Sequence, residues 1–590
     1  MHTAKMKCSE HQFAISSHRG AERIVHLARK GYEEGRAIIR LDSSNAFNVA
    51  PRAKIADILR NAPDEMRCYF NSIYEPSSTL VLYGPDGKHA EIVSEEGVRQ
   101  GDAASALLFC KLMDVACSRI KDNLPDAEVW CYMDDLTISC LPADAIRAST
   151  VAIHELSELG FTINVNKSAI TSTAPGAFTQ LSQEARRARL GIHIPTLNMP
   201  FKMLGAILND ACEDFAEEKK RATVTFFEKL CSYSLHPQLI WTILRLCGSP
   251  KYIYLASTTP TRHSLPILQH FDRHLKATAE RVIEAPISDL MLYHRLGAGF
   301  PCYSRAAESL YNSSRTMALT RSPKGVEVEL VLDDLPHTAD LRSQYHAPFI
   351  FFSAATRYSE MTHVHFRFAM CIHLRTLPRI AQSAIPVKCD CGVNVMTSEL
   401  LIEHALKCDK FGRYTRTHRH NIVRDTIAAI ARSYGITTTI EPKFYSYETG
   451  RCRPDITFHV MPKAIATDVS IVYPEIEAGV AANRAAKAKT DLHTKPVEAL
   501  EHVFIPFIME TFGYAHECCS KLTKALMAHI PRHRHAAFRF DMEHAASNAL
   551  AIARANTILT AIGSSPIEPV RRLRGFEPSD DHEVNNNYAC

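Results

Sequence analysis

The chain has 590 residues and a mass of 66.0 kDa, with 46% apolar residues, 22% charged residues and a formal charge of +4. That length exceeds what one hydrophobic core supports, and that composition excludes wholesale disorder, so an α+β multidomain protein is expected. The opening residues MHTAKMKCSEHQFA lack a signal-peptide core and no apolar run is long enough to cross a bilayer, so a soluble intracellular protein with no membrane partner is expected, its 18 cysteines reduced.

Residues 37–170 alternate between strand-like runs (AIIRLD, STLVLYG, AEIVS, VWCYM, LTISC, FTINV) and helical stretches (AKIADILRNA, ALLFCKLMDVACSRIK, AIRASTVAIHELSELG). From about Glu217 to Arg375 the pattern is mostly helical, as in LIWTILRLC and ILQHFDRHLKATAERVI. A proline-bearing, Cys-rich segment near 381–410 separates it from a second mixed region over about 411–530. Basic clusters at Arg413–His420, Pro531–His535 and Arg571–Gly575 suit a polyanion, and the last residues, SDDHEVNNNYAC, read as a solvated tail.

Within VWCYMDDLTISC, β-formers flank Asp134 and Asp135, which puts the acidic pair at a hairpin tip. Adjacent carboxylates repel unless a divalent cation joins them, and hard oxygen ligands select Mg²⁺ or Mn²⁺. An isolated DD pair is ordinarily a solvated turn, but these flanks are too apolar for one. Asp42 ends the apolar strand AIIRL; alone it reads as a cap, while a second strand-end acid in the same domain suggests a shared site for two cations about 3.5–4 Å apart, as phosphoryl transfer uses.

RLDSSNAF, GVRQGDAASALLF, YMDD, LGFTINVNKS and FKMLGAIL, in this order, resemble the successive palm motifs of reverse transcriptases, particularly those of non-LTR retrotransposons. The resemblance implies a right-hand polymerase palm in which Asp42, Asp134 and Asp135 hold the metals. It implies that Phe47 lies under the sugar and excludes a 2′-hydroxyl, that Gln100 and Gly101 meet template and incoming nucleotide, and that Lys167 lies near the triphosphate. Without the resemblance Phe47 reads as a core aromatic and Lys167 as a surface lysine. Ala103 and Ala106 stand where the family commonly has prolines, which bears on the stiffness of the glycine-bearing loop. Only about 36 residues precede the first metal strand, so a remnant of the fingers and a truncated chain are expected.

Cys389, Cys391, His404 and Cys408 form a C-x-C-x12-H-x3-C array. His404 and Cys408 are one helical turn apart, and three thiolates with one imidazole suit a structural Zn²⁺. Further on, Asp455 and Asp468 stand at strand ends with room between them for a strand, a turn and a return, and Glu441 is a third acid upstream; unrelated strand-end acids are the plain alternative. RCRPDITF followed by ATDVSIV resembles the restriction-like endonuclease that follows a CCHC zinc knuckle in site-specific non-LTR retrotransposons. It implies that Asp455 and Asp468 bind a nicking Mg²⁺, with Glu441 as an accessory. Ser470 breaks the acid-x-Lys spacing, and Lys487 and Lys489 on the next helix are both candidates for the missing lysine.

The expected order is a fingers remnant (1–36), palm (37–215), helical thumb and connector (216–375), zinc knuckle (376–410), α/β restriction-like nuclease (411–530) and a helical C-terminal segment with tail (531–590). The implied function is target-primed reverse transcription, with element RNA, chromosomal target DNA and deoxynucleoside triphosphates as partners and a nuclear location; self-association stays open. The alternatives are a decayed nucleic-acid-binding remnant and an endonuclease whose palm is only a scaffold.

Overall fold

The computed structural model describes residues 8–566 apart from 76, 85–86, 197–198, 295–296, 321–360, 409, 412–415, 448–452 and 475–477. The basic run at 571–575, residues 413–415 and 451–452, and the C-terminal tail lie outside the described residues. The described residues fall into two compact units, one drawn from Met1–Thr223, Tyr252–Phe271 and Tyr303–Glu329, the other from Val224–Lys251, Asp272–Cys302 and Leu330–Cys590. The stretch expected as a thumb is helical where described (Glu213–Ser232, Pro237–Ile243, Thr261–Ile283, Tyr303–Thr320, His363–His373), and its residues belong to both units. Among the described residues no helix is long and apolar enough to cross a membrane.

The first unit is built on α1 (Gly20–Glu33), β1 (Ala37–Leu41), α2 (Arg52–Leu59), the ribbon β2 (Ser78–Tyr83) and β3 (His89–Ser94), α3 (Ser105–Asn123), β4 (Glu128–Tyr132), β5 (Asp135–Cys140), α4 (Ala145–Glu158) and β6 (Ala169–Thr171). Four strands make an antiparallel sheet in the order β4-β5-β1-β6. The run AIIRL is apolar almost throughout because both faces of β1 are covered. Ala37, Ile39 and Leu41 join Leu108, Leu112 and Leu156 of α3 and α4 in one core, while Ile38 joins Ile24, Val25 and Ala28 of α1 in another.

FTINV, expected as a strand, is a connection with a single bridge between Ile163 and Ser43. The place beside β1 is taken by β6, so the chain at 162–164 only crosses the end of β1, where Ser44 N–H donates to Thr162 O and Asn164 N–H to Asp42 O. That crossing brings Lys167 to the end of the sheet.

In the second unit a two-stranded hairpin, β7 (Val387–Lys388) with β8 (Asn394–Val395), precedes α5 (Ser398–Lys407) and α6 (Arg416–Ser433). Then come β9 (Thr437–Ile440), β10 (Ile456–His459), β11 (Ile465–Thr467), β12 (Val469–Val472), α7 (Val480–Glu498), β13 (Val503–Phe504), β14 (Phe507–Glu510), α8 (Glu517–Met527) and α9 (His535–Ala561). The sheet order is β9-β10-β11-β13, with β11 parallel to β13, and β12 pairs in parallel with β14. Asp468 is the one residue between β11 and β12, where the chain leaves one sheet for the other. α6, α8 and α9 pack Val423, Ile427, Leu522 and Phe538 against Ile456, Phe458 and Ile508.

Candidate functional site

The register of the first sheet decides where its acids lie. Leu41 pairs with Leu136, so the next step of the antiparallel ladder sets Asp42 abreast of Asp135, both on the face that carries Arg40. Asp134 is in the two-residue turn between the paired Tyr132 and Asp135. Met133, the other turn residue, has φ 56°, a left-handed conformation that costs a non-glycine residue about 1 kcal/mol. Buried Gln12 holds it there: Met133 N–H donates to Gln12 Oε1 at 3.2 Å, and Cys131 N–H donates to His11 O at 2.8 Å.

Asp42, Asp134, Phe47, Gln100 and Lys167 line one cavity of about 310 Å³, with Ser43, Ser44, Asn45 and Asn164. The Phe47 ring stacks on Phe109 with centroids 4.2 Å apart and is fixed as a flat wall. Gly97 must be glycine, since its φ is +73° and a Cβ there would lie 2.3 Å from Asn48 O. Gly101 also has a positive φ, +93°, in open space beside Gln100. Asp102 accepts hydroxyl donations from Tyr69 and Tyr74, which, against a burial that works the other way, hold its carboxyl below the usual range and anchor the loop.

Charge in this cavity is unbalanced. Burial, with Asp134 and Asp42 nearby, pushes Asp135 up to about 6, and burial with Asp42 raises Asp134 as well. The opposing cations are weak: Lys167 Nζ stands 4.0 Å from Asp42 and is largely exposed, and Arg40 spends its guanidinium on the carbonyls of Lys167 and Lys202. Carboxylates whose charged forms are disfavoured by burial and by each other, at the end of a rigid sheet, suit a divalent cation.

In the second unit the Cys389, Cys391, His404 and Cys408 ligand atoms all lie within 4.8 Å of one another. Gly392, at φ +94°, turns the chain back so that Cys389 and Cys391 face α5, whose residue His404 and following residue Cys408 come one turn apart. The Cys389 and Cys408 sulfurs are 3.7 Å apart, against a tetrahedral edge of about 3.8 Å for zinc–sulfur bonds of about 2.3 Å. Cys391 Sγ is 3.3 Å from His404 Nε2. Backbone N–H groups of Cys391 and Lys410 point at the Cys389 and Cys408 sulfurs, a usual support for thiolates. The donor set fits zinc.

The third group of acids also follows register. Ile440 pairs with Ile456 and Ile456 with Thr467, so Glu441, Asp455 and Asp468 stand abreast on three neighbouring strands. Glu441 N–H donates to Asp455 O, and Asp455 N–H to Thr467 O. Asp455 accepts from Val469 N–H at 2.7 Å and from His420 of α6 at 2.9 Å. Lys489 Nζ lies 2.7 Å from Asp468, and His493 Nε2 is 3.3 Å from its other oxygen. Lys487 is exposed: two residues apart on a helix is about 200° of rotation, so only one of the pair can face the sheet. Burial acts to raise Asp468, yet His493 and Lys489 hold it below the usual carboxylate range. Glu441 is bound by Arg424 at 2.8 Å and Arg453 at 3.0 Å.

Comparison with known proteins bears on the first unit most directly. Residues 1–208 match the model of the reverse transcriptase (RNA-dependent DNA polymerase) family. These residues are a reverse transcriptase domain of the non-LTR retrotransposon type. The chain is similar to the retrotransposable element SLACS 132 kDa protein of Trypanosoma brucei gambiense, 22% identical over 502 residues, which are 80% of this chain and 39% of that protein. It is also similar to the retrovirus-related Pol polyprotein from type-1 retrotransposable element R2 of Nasonia vitripennis, 34% identical over 130 residues, 20% of this chain and 12% of that protein. The chain thus spans well under half the length of the curated relatives it matches. A telomerase from Candida tropicalis, solved in complex with a fragment of telomeric RNA, aligns over 55% of this chain and 53% of that one at 12% identity, with a TM-score of 0.28, too loose a likeness to bear weight.

Several residues of these sites escape sequence reasoning. In the reverse transcriptase domain Gln12 clamps the acidic turn although it is far away in sequence, and Asn164 reaches the cavity through the crossing described above. In the second unit His420, Arg424 and His493 hold the acids. His420 stands in a basic run that reads as a polyanion contact, and nothing local in the sequence sets it apart from the rest of that run.

Proposed function

We propose that the chain is an RNA-directed DNA polymerase of a non-LTR retrotransposon that also nicks DNA, and that it acts by target-primed reverse transcription. The observation that carries the polymerase half is the Asp42, Asp134 and Asp135 cluster beside a cavity walled by Phe47 and Gln100. Divalent cations held by these three carboxylates would activate the primer 3′-hydroxyl and stabilise the leaving pyrophosphate. Phe47, stacked and unable to yield, excludes a ribose 2′-hydroxyl. Gln100 and the open backbone at Gly101 meet the template and the incoming deoxynucleotide, and exposed Lys167 neutralises the triphosphate. Nuclear location follows from such a target.

The nuclease half rests on Asp455 and Asp468 abreast with Lys489 beside them. Asp455 and Asp468 would hold the nicking metal, Lys489 would steady the charge that develops on the scissile phosphate, and Glu441 is an accessory. Zinc at Cys389, Cys391, His404 and Cys408 is structural, with all four positions filled by the protein.

Two assays test both halves. Primer extension on an RNA template with Mg²⁺ should be present in the parent and lost in Asp134→Asn; plasmid nicking should survive that change and be lost in Asp468→Asn. A parent that nicks but extends nothing makes the palm a scaffold, and one that does neither is a decayed remnant.

A further inference from the structure

A second cavity, of about 400 Å³, opens in the nuclease-like unit away from the acidic row. Arg416 and Arg419 from the first turn of α6 and Arg484 from α7 line it, with Tyr473 and Thr511 between them and no carboxylate among the described lining residues. Arg419 is 4% exposed and is braced by donating to Leu406 O at 3.0 Å, and Arg416 donates to Lys407 O at 2.5 Å. Lys407, paired with Glu403 at 2.5 Å, lies 4.4 Å from the ring of the lining residue Tyr473. More positive charge lies next to it: half-buried Arg375 and buried Arg554 lie 4.3 and 5.9 Å from the Phe512 ring, and burial with Arg375 and Arg419 nearby pushes the Arg554 guanidinium down to about 9. Arginines gathered at such a concave site favour a phosphate, which their planar forks grip in two bonds.

The placement says which phosphate. Arg484 is five residues before Lys489 on α7, about 7.5 Å along the axis, and Arg416 four before His420 on α6, about 6 Å. From Asp468 along β12 to Tyr473 is five residues, roughly 16 Å. A DNA strand advances about 3.4 Å per nucleotide, so this cavity is some two to five nucleotides from the acidic row. We propose that Arg416, Arg419 and Arg484 form a seat for a backbone phosphate of duplex DNA, a few nucleotides from the bond held at Asp455 and Asp468. This rests on the nuclease reading for its register. The seat carries no sequence information; it sets the distance between anchor and cut.

The test uses the full chain, a short fluorescein-labelled DNA duplex and an RNA hairpin of equal length, with binding followed by anisotropy across salt concentrations. Arg416 and Arg484 are exposed, so Arg416→Gln/Arg484→Gln should keep the parent's melting temperature, which is checked first. The expected result is a DNA salt slope shallower by about 0.9, the value for the one phosphate charge that goes unneutralised, with the RNA slope unchanged. An unchanged DNA slope, or a loss confined to RNA, overturns the seat. Asp468→Asn separates the two readings: if it abolishes nicking while the double variant keeps the DNA slope, the nuclease stands and the seat falls. If the slope drops but the parent never nicks, the seat stands and the nuclease falls.

Discussion

The two acidic sites are built alike and charged differently. In each, antiparallel register sets carboxylates abreast at strand ends, Asp42 beside Asp135 in one sheet and Glu441, Asp455 and Asp468 in the other. In the first, the acids face each other, the cations near them among the described residues are distant or occupied, and Asp135 is pushed up to about 6 by burial, Asp134 and Asp42. In the second, each acid has its own counter-charge: His420 on Asp455, Lys489 and His493 on Asp468, Arg424 and Arg453 on Glu441. The same strand geometry therefore gives one site that needs charge from outside and one that is balanced without it. A bound cation would relieve more repulsion at the unbalanced site than at the balanced one.

The largest effect expected from this contrast is in polymerisation. Asp134→Asn removes one of the three carboxylates proposed to hold the metal, so single-turnover primer extension with Mg²⁺ should fall by at least about 10³-fold. A loss of under ten-fold would mean that the turn acid does not hold metal.

The next effect tests the counter-charge. Lys489→Ala should cut plasmid nicking by roughly 10²-fold, since it removes the cation nearest Asp468, while Lys487→Ala on the other side of α7 should stay within about two-fold. Equal losses in both variants would break the claim that the helix presents one lysine and not the other.

How much of this was legible in the sequence depends on whether a contact is local. Asp134 and Asp135 at a hairpin tip, Asp42 at a strand end and the Cys389-to-Cys408 array follow from period, turn chemistry and helical spacing over short stretches. The choice between Lys487 and Lys489 needed the rotation of α7 against the sheet, which no local pattern reveals. FTINV has strand composition, but β6 occupies the ladder position that it would need, so tertiary competition overrides propensity. Gln12 and His420 act across separations of more than 100 and of 35 residues, and neither has a motif to mark it.

Stability should then separate the sites by sign. Asp468 is held below the usual range, so its contribution is present above the unfolded carboxylate value of about 4 and is lost as pH falls. Asp468→Asn leaves Lys489 and His493 beside a neutral amide and should destabilise the metal-free protein by about 2–3 kcal/mol at pH 7, read from urea melts. A neutral or stabilising result would mean that the pair contributes nothing across its desolvation cost.

Asp135 predicts the opposite and smaller change. Its folded pKa, about 6, lies above the unfolded value, so its protonated form stabilises the fold below about pH 4 and that contribution is lost as pH rises through about 6. Asp135→Asn mimics the protonated form at every pH. It should match the parent near pH 4, then exceed it by about 1–2 kcal/mol at pH 7 in the absence of metal, a value discounted for the partial exposure of the group. Saturating Mg²⁺ should raise the parent's melting temperature and close most of that gap, because the cation supplies the charge that the sheet end lacks, and should shift the variant much less. A gap that is independent of pH, or unmoved by Mg²⁺, would show that the repulsion among Asp42, Asp134 and Asp135 is relieved by something other than a bound cation.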